Sequence, residues 1–112
     1  HDIGDWNTGA VTDFNAAFMR TVAFNQDISG WDVSAATDLS NMFAQTDSFN
    51  QDISAWNVSN ATDMTYLFYD AAAYDNGGNP AGLESWSPRA DVDKAYMFTD
   101  SLITSDLRPS WY

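Results

Sequence analysis

Two closely similar stretches of 20 residues follow one another in this chain. FNQDISGWDVSAATDLSNMF spans residues 24–43, and FNQDISAWNVSNATDMTYLF spans residues 49–68. The tryptophan of this stretch recurs in four copies, spaced 25, 25 and 30 residues apart, at Trp6, Trp31, Trp56 and Trp86. A sequence with such a period is expected to stack its copies, because one copy of this size cannot bury its apolar face alone.

The period predicts one domain, 1–112, made of four repeats and a fragment. The repeats cover about residues 2–26, 27–51, 52–82 and 83–105. The partial repeat covers 106–112, with its strand one residue out of register. The Gly-, Asn- and Pro-rich stretch 76–82 is predicted to be an inserted loop, since such a composition marks turns. Because the chain begins with His rather than Met, we expect a processed product or an excised fragment.

Within each copy the apolar pattern changes its period. In copy two, residues 28–33 alternate around Trp31, which is typical of a short strand. Leu39, Met42 and Phe43 then follow a Thr-Asp pair at helical spacing, which predicts a short capped helix. The predicted fold is therefore an α/β repeat solenoid. It would be a right-handed, leucine-rich-repeat-like coil with short parallel strands on one side and short helices on the other.

The two ends of this stack lack obvious polar caps. Copy one has Ala17 where the other copies have Met or Leu, and copy four diverges throughout residues 83–89. Terminal repeats usually need a polar outer face to remain separate. We therefore expect copies of this chain to stack end to end into a fibre or a layer.

Composition excludes several classes of function. Sixteen acidic residues against four basic ones give a formal net charge of −12, which repels nucleic acid. No apolar run is long enough to cross a bilayer, so membrane insertion is not expected. The single histidine is His1 and cysteine is absent, so the serines lack an evident base. We predict no catalytic residue and no cofactor-binding residue, and therefore no enzyme.

Calcium is a weak alternative to the prediction that the chain binds no metal. Oxygen-bearing side chains surround the inserted loop at Asp70, Asp75, Asn76 and Asn79. Calcium prefers such oxygen ligands in glycine-containing loops. The spacing does not follow the Asp-x-Asp-x-Asp-Gly pattern with its distant Glu, however, so an ordinary hydrated loop is preferred.

Exposed aromatic residues are the predicted interface. Tyr66 and Tyr96 both stand ten residues after a tryptophan and are expected to stack as neighbours. Tyr69 and the terminal Trp111 complete the predicted set, since aromatic residues often anchor interfaces. Asn57 and Asn60 each begin an Asn-x-Ser/Thr sequon and are possible glycosylation sites in a cell that glycosylates secreted proteins.

The repeat unit resembles the surface-protein repeats of about 25 residues in Listeria and mycoplasma lipoproteins, which are related to BspA-like leucine-rich repeats. The motifs Phe-Asn-Gln-Asp-Ile-Ser, Trp and Thr-Asp carry the resemblance in residues 24–43 and 49–68. It implies an extracellular or cell-surface location and a role in adhesion or as a structural building block. The alternative is a recognition module that binds a host protein or glycan through a lateral surface.

Overall fold

In the computed structural model, which describes residues 2–79 and 82–112, successive copies of the period lie against one another as layers. Three isolated parallel bridges join the layers: Asp13 to Asp38, Asp38 to Asp63 and Asp63 to Asp93. Each bridge links residues that stand seven positions after their tryptophan. His1 lies outside the described residues, as do Pro80 and Ala81 of the predicted inserted loop 76–82.

The predicted α/β solenoid of short strands and short helices is wrong. Residues 2–79 and 82–112 contain no helix, and the strand content is limited to the single bridging residues Asp13, Asp38, Asp63 and Asp93. This part of the chain accordingly has no helix that could cross a membrane. The molecule is a compact globule of turns and irregular backbone, with principal extents of 34 × 31 × 22 Å. The leucine-rich-repeat-like description fails for the same reason.

The helix predicted around Leu39 to Phe43 does not form because alternate backbone amides leave the segment. Met42 and Ala44 donate to carbonyl groups three residues earlier in the same copy. The amides that alternate with them donate to the next layer over 2.7–3.0 Å: Leu39 to Asp63, Asn41 to Thr65, Phe43 to Leu67 and Gln45 to Tyr69. An α-helix requires consecutive amides to bond four residues back. The helical spacing of apolar residues is therefore produced here by consecutive tight turns.

We call this segment the turn ribbon of each copy: residues 13–20, 38–45, 63–70 and 93–100. Two residues in every turn ribbon have left-handed backbone. The first of the two stands ten residues after the tryptophan of its copy. Its φ is 57–58° in all four copies, at Ala16, Asn41, Tyr66 and Tyr96. The second, four residues later, has φ of 52–63° at Arg20, Gln45, Asp70 and Asp100. Left-handed residues interrupt any right-handed helix, which is why the turns stay separate.

Aspartate and serine build the remaining turns. In copy two, three aspartates each accept the amide and hydroxyl hydrogens of the serine two residues later, in the pairs Asp27–Ser29, Asp32–Ser34 and Asp38–Ser40. The residue between each pair is buried: Ile28, Val33 and Leu39. These are Asx turns, in which a side chain replaces a backbone acceptor. The predicted helix cap at Asp38 is one of them.

Each tryptophan after the first ties its layer to the preceding layer. The indole N–H donates over 2.9–3.0 Å to a carbonyl group of the previous copy: Trp31 to Ile3, Trp56 to Ile28, Trp86 to Ile53 and Trp111 to Leu83. The phenylalanine rings of the turn ribbons stack beside them at 5.7–5.8 Å: Phe18, Phe43, Phe68 and Phe98. Aromatic columns therefore run across the layers through the core, among buried aliphatic residues such as Leu39 and Met64.

Replacing Trp56 by Phe is expected to lower the free energy of unfolding by about 1–3 kcal/mol. The smaller ring leaves a gap, and the Ile28 carbonyl loses its indole donor. Trp6→Phe is the matched control, because Trp6 is 60% exposed and its indole has no hydrogen bond within the described residues; it should cost less than about 0.5 kcal/mol. Denaturant unfolding of both variants measures the difference, and equal losses would contradict this assignment.

Acid is expected to destabilise the fold through the Asx turns. Hydrogen bonds from the side chain and backbone of Ser29 lower the pKa of Asp27 below its ordinary 3.8, and Ser34 lowers the pKa of Asp32 in the same way. Groups with a lowered folded-state pKa contribute stability above the unfolded value, and that stability is lost as pH falls through 3.8 toward the lower folded pKa. Thermal unfolding followed from about pH 6 down to about pH 2 measures the loss.

The double variant Asp27→Asn, Asp32→Asn is the control for this pH dependence. Asn57 makes the same turn, with its Oδ1 accepting the Ser59 amide at 3.0 Å, so asparagine preserves the turn but does not titrate. The melting temperature of the double variant should fall less steeply with acid than that of the parent. Identical slopes would show that other groups cause the acid sensitivity.

Candidate functional site

The structure brings the three predicted interface tyrosines together on the side of the third and fourth layers. The rings of Tyr66 and Tyr96 stack with their centroids 5.2 Å apart, and Tyr69 meets Tyr66 edge-on at 5.3 Å. Tyr66 is 37% exposed and Tyr96 is 57% exposed. We call these three residues the tyrosine face. Their role in binding stays a prediction.

Two members of the tyrosine face lie in locally unfavourable backbone. Tyr66 and Tyr96 have φ of 58° and 57°. A bulky residue in this region costs of order 1–3 kcal/mol, whereas asparagine tolerates it far better. Copy two has Asn41 at the same place, also with φ of 58°. The turn ribbon thus accepts asparagine at a position where copies three and four carry tyrosine.

Two unpaired carboxylates lie in the same turn ribbons. Asp70 and Asp100 are both exposed, and the Asp70 amide donates to the Thr99 carbonyl of the next layer at 2.8 Å. In copies one and two this place is taken by Arg20 and Gln45, whose side chains join through a 2.9 Å hydrogen bond. Within residues 2–79 and 82–112 the one ion pair joins Arg89 to Asp91, so neither carboxylate has a cationic partner there.

A second surface, which our interpretation of the sequence missed, is an apolar groove at the first layer. It encloses about 590 Å³ and is lined mainly by Trp6, Val11, Phe14, Ala17 and Phe18. We call it the first-layer groove. The equivalents of Ala17 in the other copies are buried Met42, Leu67 and Met97. The signal in the sequence was the small residue at this position.

The terminal layers also carry unpaired backbone groups. In copy one, the carbonyl groups of Asp13, Asn15, Ala17 and Met19 accept no hydrogen bond from the described residues. In copy four, the amides of Lys94, Tyr96, Phe98 and Asp100 donate none within the same ranges. At each internal junction these positions form four N–H···O bonds between adjacent turn ribbons. One end of the molecule is thus a row of acceptors and the other a row of donors.

Trp111, the fourth predicted interface residue, contributes to the core of the last layer. It stands 25 residues after Trp86, and the two rings stack at 6.2 Å. Its indole donates to the Leu83 carbonyl at 3.0 Å. The segment is anchored by the Ser110 amide, which donates to Glu84 at 2.6 Å. Trp111 therefore takes the place of a fifth tryptophan in register. Leu107 stands four residues before it, whereas Leu83 stands three residues before Trp86, which is the expected shift of one residue.

The residues of the predicted calcium loop serve the loop itself. The Oδ1 atom of buried Asn76 accepts hydrogen bonds from the Ile53 amide and the Tyr74 hydroxyl, at 2.9 and 3.0 Å. Its Nδ2 atom donates to Asp52 and Gly82. Asp75 accepts the Gly78 amide, Asn79 donates to Asp52, and Asp70 lies in a turn ribbon. No group of three or more His, Cys, Asp or Glu side chains in the described ranges could hold a metal ion.

The two sequon asparagines are exposed on the surface. The Asn60 side-chain amide donates to the Ser34 carbonyl at 2.6 Å, whereas Asn57 uses its Oδ1 atom in an Asx turn. Glycosylation consumes the side-chain nitrogen. That nitrogen of Asn57 makes no hydrogen bond within the described residues, so Asn57 is the better placed of the two acceptors. Whether either residue carries a glycan stays a prediction.

Among the described residues, Tyr74 is a titratable side chain strongly affected by burial. Burial, with the nearby charges of Asp52 and Asp75, raises its pKa well above the ordinary value of 10.0. Its hydroxyl is hydrogen-bonded to Asn76 and stays protonated at neutral pH. Such a group supports the fold and offers no base near neutrality.

Comparison with known proteins identifies a family. The family model described as "Mycoplasma protein of unknown function, DUF285" matches residues 1–111. No curated protein and no solved structure matches the chain.

Replacing Asn76 by Ala is expected to lower the free energy of unfolding by about 3 kcal/mol or more. The change removes an acceptor from the Ile53 amide and the Tyr74 hydroxyl and a donor from the Gly82 carbonyl, and unsatisfied buried groups cost about 1–3 kcal/mol each. Asn7→Ala is the control, because Asn7 is exposed and makes one long hydrogen bond. Calorimetric melting of both variants tests this, and a similar small loss for each would refute the structural role of Asn76.

Proposed function

We propose, from the premise that this chain belongs to a Mycoplasma family of unknown function, that it is a non-enzymatic structural or adhesive building block whose copies associate end to end. The observation that supports the proposal is the complementarity of the two terminal layers. The first presents four backbone acceptors and the last presents four backbone donors, at the positions that pair inside the molecule.

A second copy placed at the end of the stack would repeat an internal junction. Inside the molecule, the amides of Phe14 and Phe18 donate to the Asp38 and Met42 carbonyl groups at 2.9 Å. Unpaired backbone edges of this kind are templates for another chain. Because the donor row meets the acceptor row of a different copy, the contact is heterologous. Contacts of this kind close into rings or extend as fibres.

The first-layer groove supports the same orientation. Trp6 is 60% exposed, against 6% for Trp31 and 4% for Trp56. The later tryptophans are covered because a preceding layer lies against them, whereas no described residue covers Trp6 in this way. Association through this end would remove a large aromatic surface from water, which contributes roughly 1.5–3 kcal/mol for one large side chain.

The place that Trp6 of a second copy would take is occupied by Trp111. Trp111 stacks on Trp86 at 6.2 Å, and Trp6 stacks on Trp31 at the same distance. Pairing of the two backbone rows between copies therefore requires residues 106–112 to leave the last layer. Trp111 and the Trp6 of a second copy compete for one position, so the C-terminal segment limits assembly.

Magnitudes indicate a weak contact. Each backbone hydrogen bond contributes about 0.5–1.5 kcal/mol net, while association costs at least about 4 kcal/mol in lost freedom of motion. Four bonds and one buried indole exceed that cost by little once Trp111 must also be displaced. Assembly then depends on a high local concentration, such as that of proteins held at a surface.

The proposed location is the cell surface. Membership of a Mycoplasma family is compatible with a surface or extracellular location. The resemblance of residues 24–43 and 49–68 to surface-protein repeats of lipoproteins supports the finer proposal of an adhesive or structural surface protein. The further kinship with BspA-like leucine-rich repeats stays a prediction. The net charge of −12 also favours partners other than nucleic acid or anionic lipid.

Replacing Trp111 by Ser is expected to strengthen self-association at least tenfold, because it frees the position for Trp6 of a second copy; about 1.4 kcal/mol of relieved competition suffices. Sedimentation velocity over a range of concentrations measures the dissociation constant. Circular dichroism establishes that the variant is folded at the temperature used.

The double variant Trp6→Ser, Trp111→Ser is the matched control. It frees the last layer but removes the side chain that would fill it, so it should remain monomeric at concentrations where Trp111→Ser associates. A Trp111→Ser protein that stays monomeric throughout would rule out end-to-end stacking. Equal association of the single and double variants would show that another surface is responsible.

A further inference from the structure

We propose that the tyrosine face, together with Asp70 and Asp100, binds a positively charged peptide segment. Arginine or lysine side chains of that segment would lie on the tyrosine rings, and the two carboxylates would meet their charge. This inference goes beyond end-to-end association, because the surface lies on the side of the layers and not at their ends.

The exposure of the rings provides the contact area. Tyr66 and Tyr96 stack on each other, yet they remain 37% and 57% exposed. Tyr69 packs edge-on against Tyr66, which fixes the orientation of the pair without covering it. Preorganised aromatic rings of this kind favour binding, because little freedom is lost when a ligand is held. Cationic side chains are attracted to the faces of such rings.

The presence of tyrosine at the first left-handed position of two turn ribbons indicates that Tyr66 and Tyr96 have a role other than local folding. The backbone is left-handed at this position in all four copies. Asparagine is suited to left-handed backbone, so Asn41 fits this position, whereas the bulky residues Tyr66 and Tyr96 do not. Departures from local preference are expected where function requires a side chain. The two tyrosines also occupy adjacent layers, where they form one continuous surface.

The charge in the turn ribbons that carry the tyrosine face favours a cation over other ligands. Asp70 and Asp100 follow Tyr66 and Tyr96 by four residues, are exposed, and have no cationic partner in the described part of the chain. Lys94, the cation nearest in sequence, stands at the position where other copies bury Phe14, Leu39 and Met64. The net charge of −12 adds long-range attraction for a basic partner.

Within the described residues, a pair near the C-terminus is an example of the proposed contact. The guanidinium of Arg108 lies 5.3 Å from the centre of the Tyr112 ring. This pair shows that an arginine in this chain uses a partly exposed tyrosine in the way we propose for a partner's arginine. Tyr112 is 37% exposed, the same value as Tyr66.

The test uses a fluorescently labelled oligoarginine peptide and the double variant Tyr66→Asn, Tyr96→Asn. Asparagine suits the left-handed backbone, as Asn41 shows, so the variant should remain folded by near-ultraviolet circular dichroism. Fluorescence anisotropy is expected to show peptide binding to the parent and binding at least about tenfold weaker to the variant. Unchanged affinity in a folded variant would overturn the proposal.

Charge-matched variants separate a specific site from general attraction. Two double variants remove the same charge from exposed positions. One is Asp70→Asn with Asp100→Asn, in the turn ribbons of the tyrosine face, and the other is Asp5→Asn with Asp47→Asn, which serves as the control. The first pair should weaken peptide binding several-fold more than the second, and equal effects would show that only net charge matters. A neutral oligosaccharide serves as the second probe. If it binds the tyrosine face and the peptide does not, the surface recognises glycans and the proposal is wrong.

Discussion

The structure depends on where its backbone amides find acceptors. A buried N–H or C=O group must be paired, and a chain without helices or extended strands has no ladder of its own for this purpose. In the first three turn ribbons the amides alternate, as in copy two: those of Met42 and Ala44 close turns within the copy, and those of Leu39 and Phe43 reach the next layer. No copy can satisfy its backbone alone, which is why the period recurs along the chain.

The same constraint leaves the two ends unequal. At every internal junction a row of backbone N–H donors in one layer pairs with a row of C=O acceptors in the next. A stack of layers is therefore left with one unpaired row of acceptors at one end and one unpaired row of donors at the other. At the internal junctions these backbone groups are paired, and some side chains on the sides, such as Arg20 and Gln45, also link adjacent layers. The end-to-end contact and the peptide contact that we propose thus involve different parts of one molecule. The exposed Trp6 lies at the first, and the tyrosine face lies at the second.

Some patterns in the sequence predicted the structure correctly, and others did not. Column positions were predictable, because residues equivalent in the period are equivalent in space, as Tyr66 and Tyr96 demonstrate. The type of backbone was not. Leu39, Met42 and Phe43 have the spacing of a helix face, but consecutive turns place the same positions inward, and periodicity cannot separate the two. The structural role of Asn76 was not predicted either, because its burial and its four side-chain hydrogen bonds depend on neighbours up to 24 residues away.

By itself, the sequence determined which residues are equivalent, which of them are apolar, and where aspartate and serine make local turns, because these properties depend on residue identity and short spacing. Only the tertiary structure decided the partner of each backbone amide and of each indole N–H. The hydrogen bonds of these groups join residues about one period apart in the chain, and they form only when the two layers lie at the right distance from each other. The left-handed residues, the first-layer groove and the occupied position of Trp111 all follow from that packing.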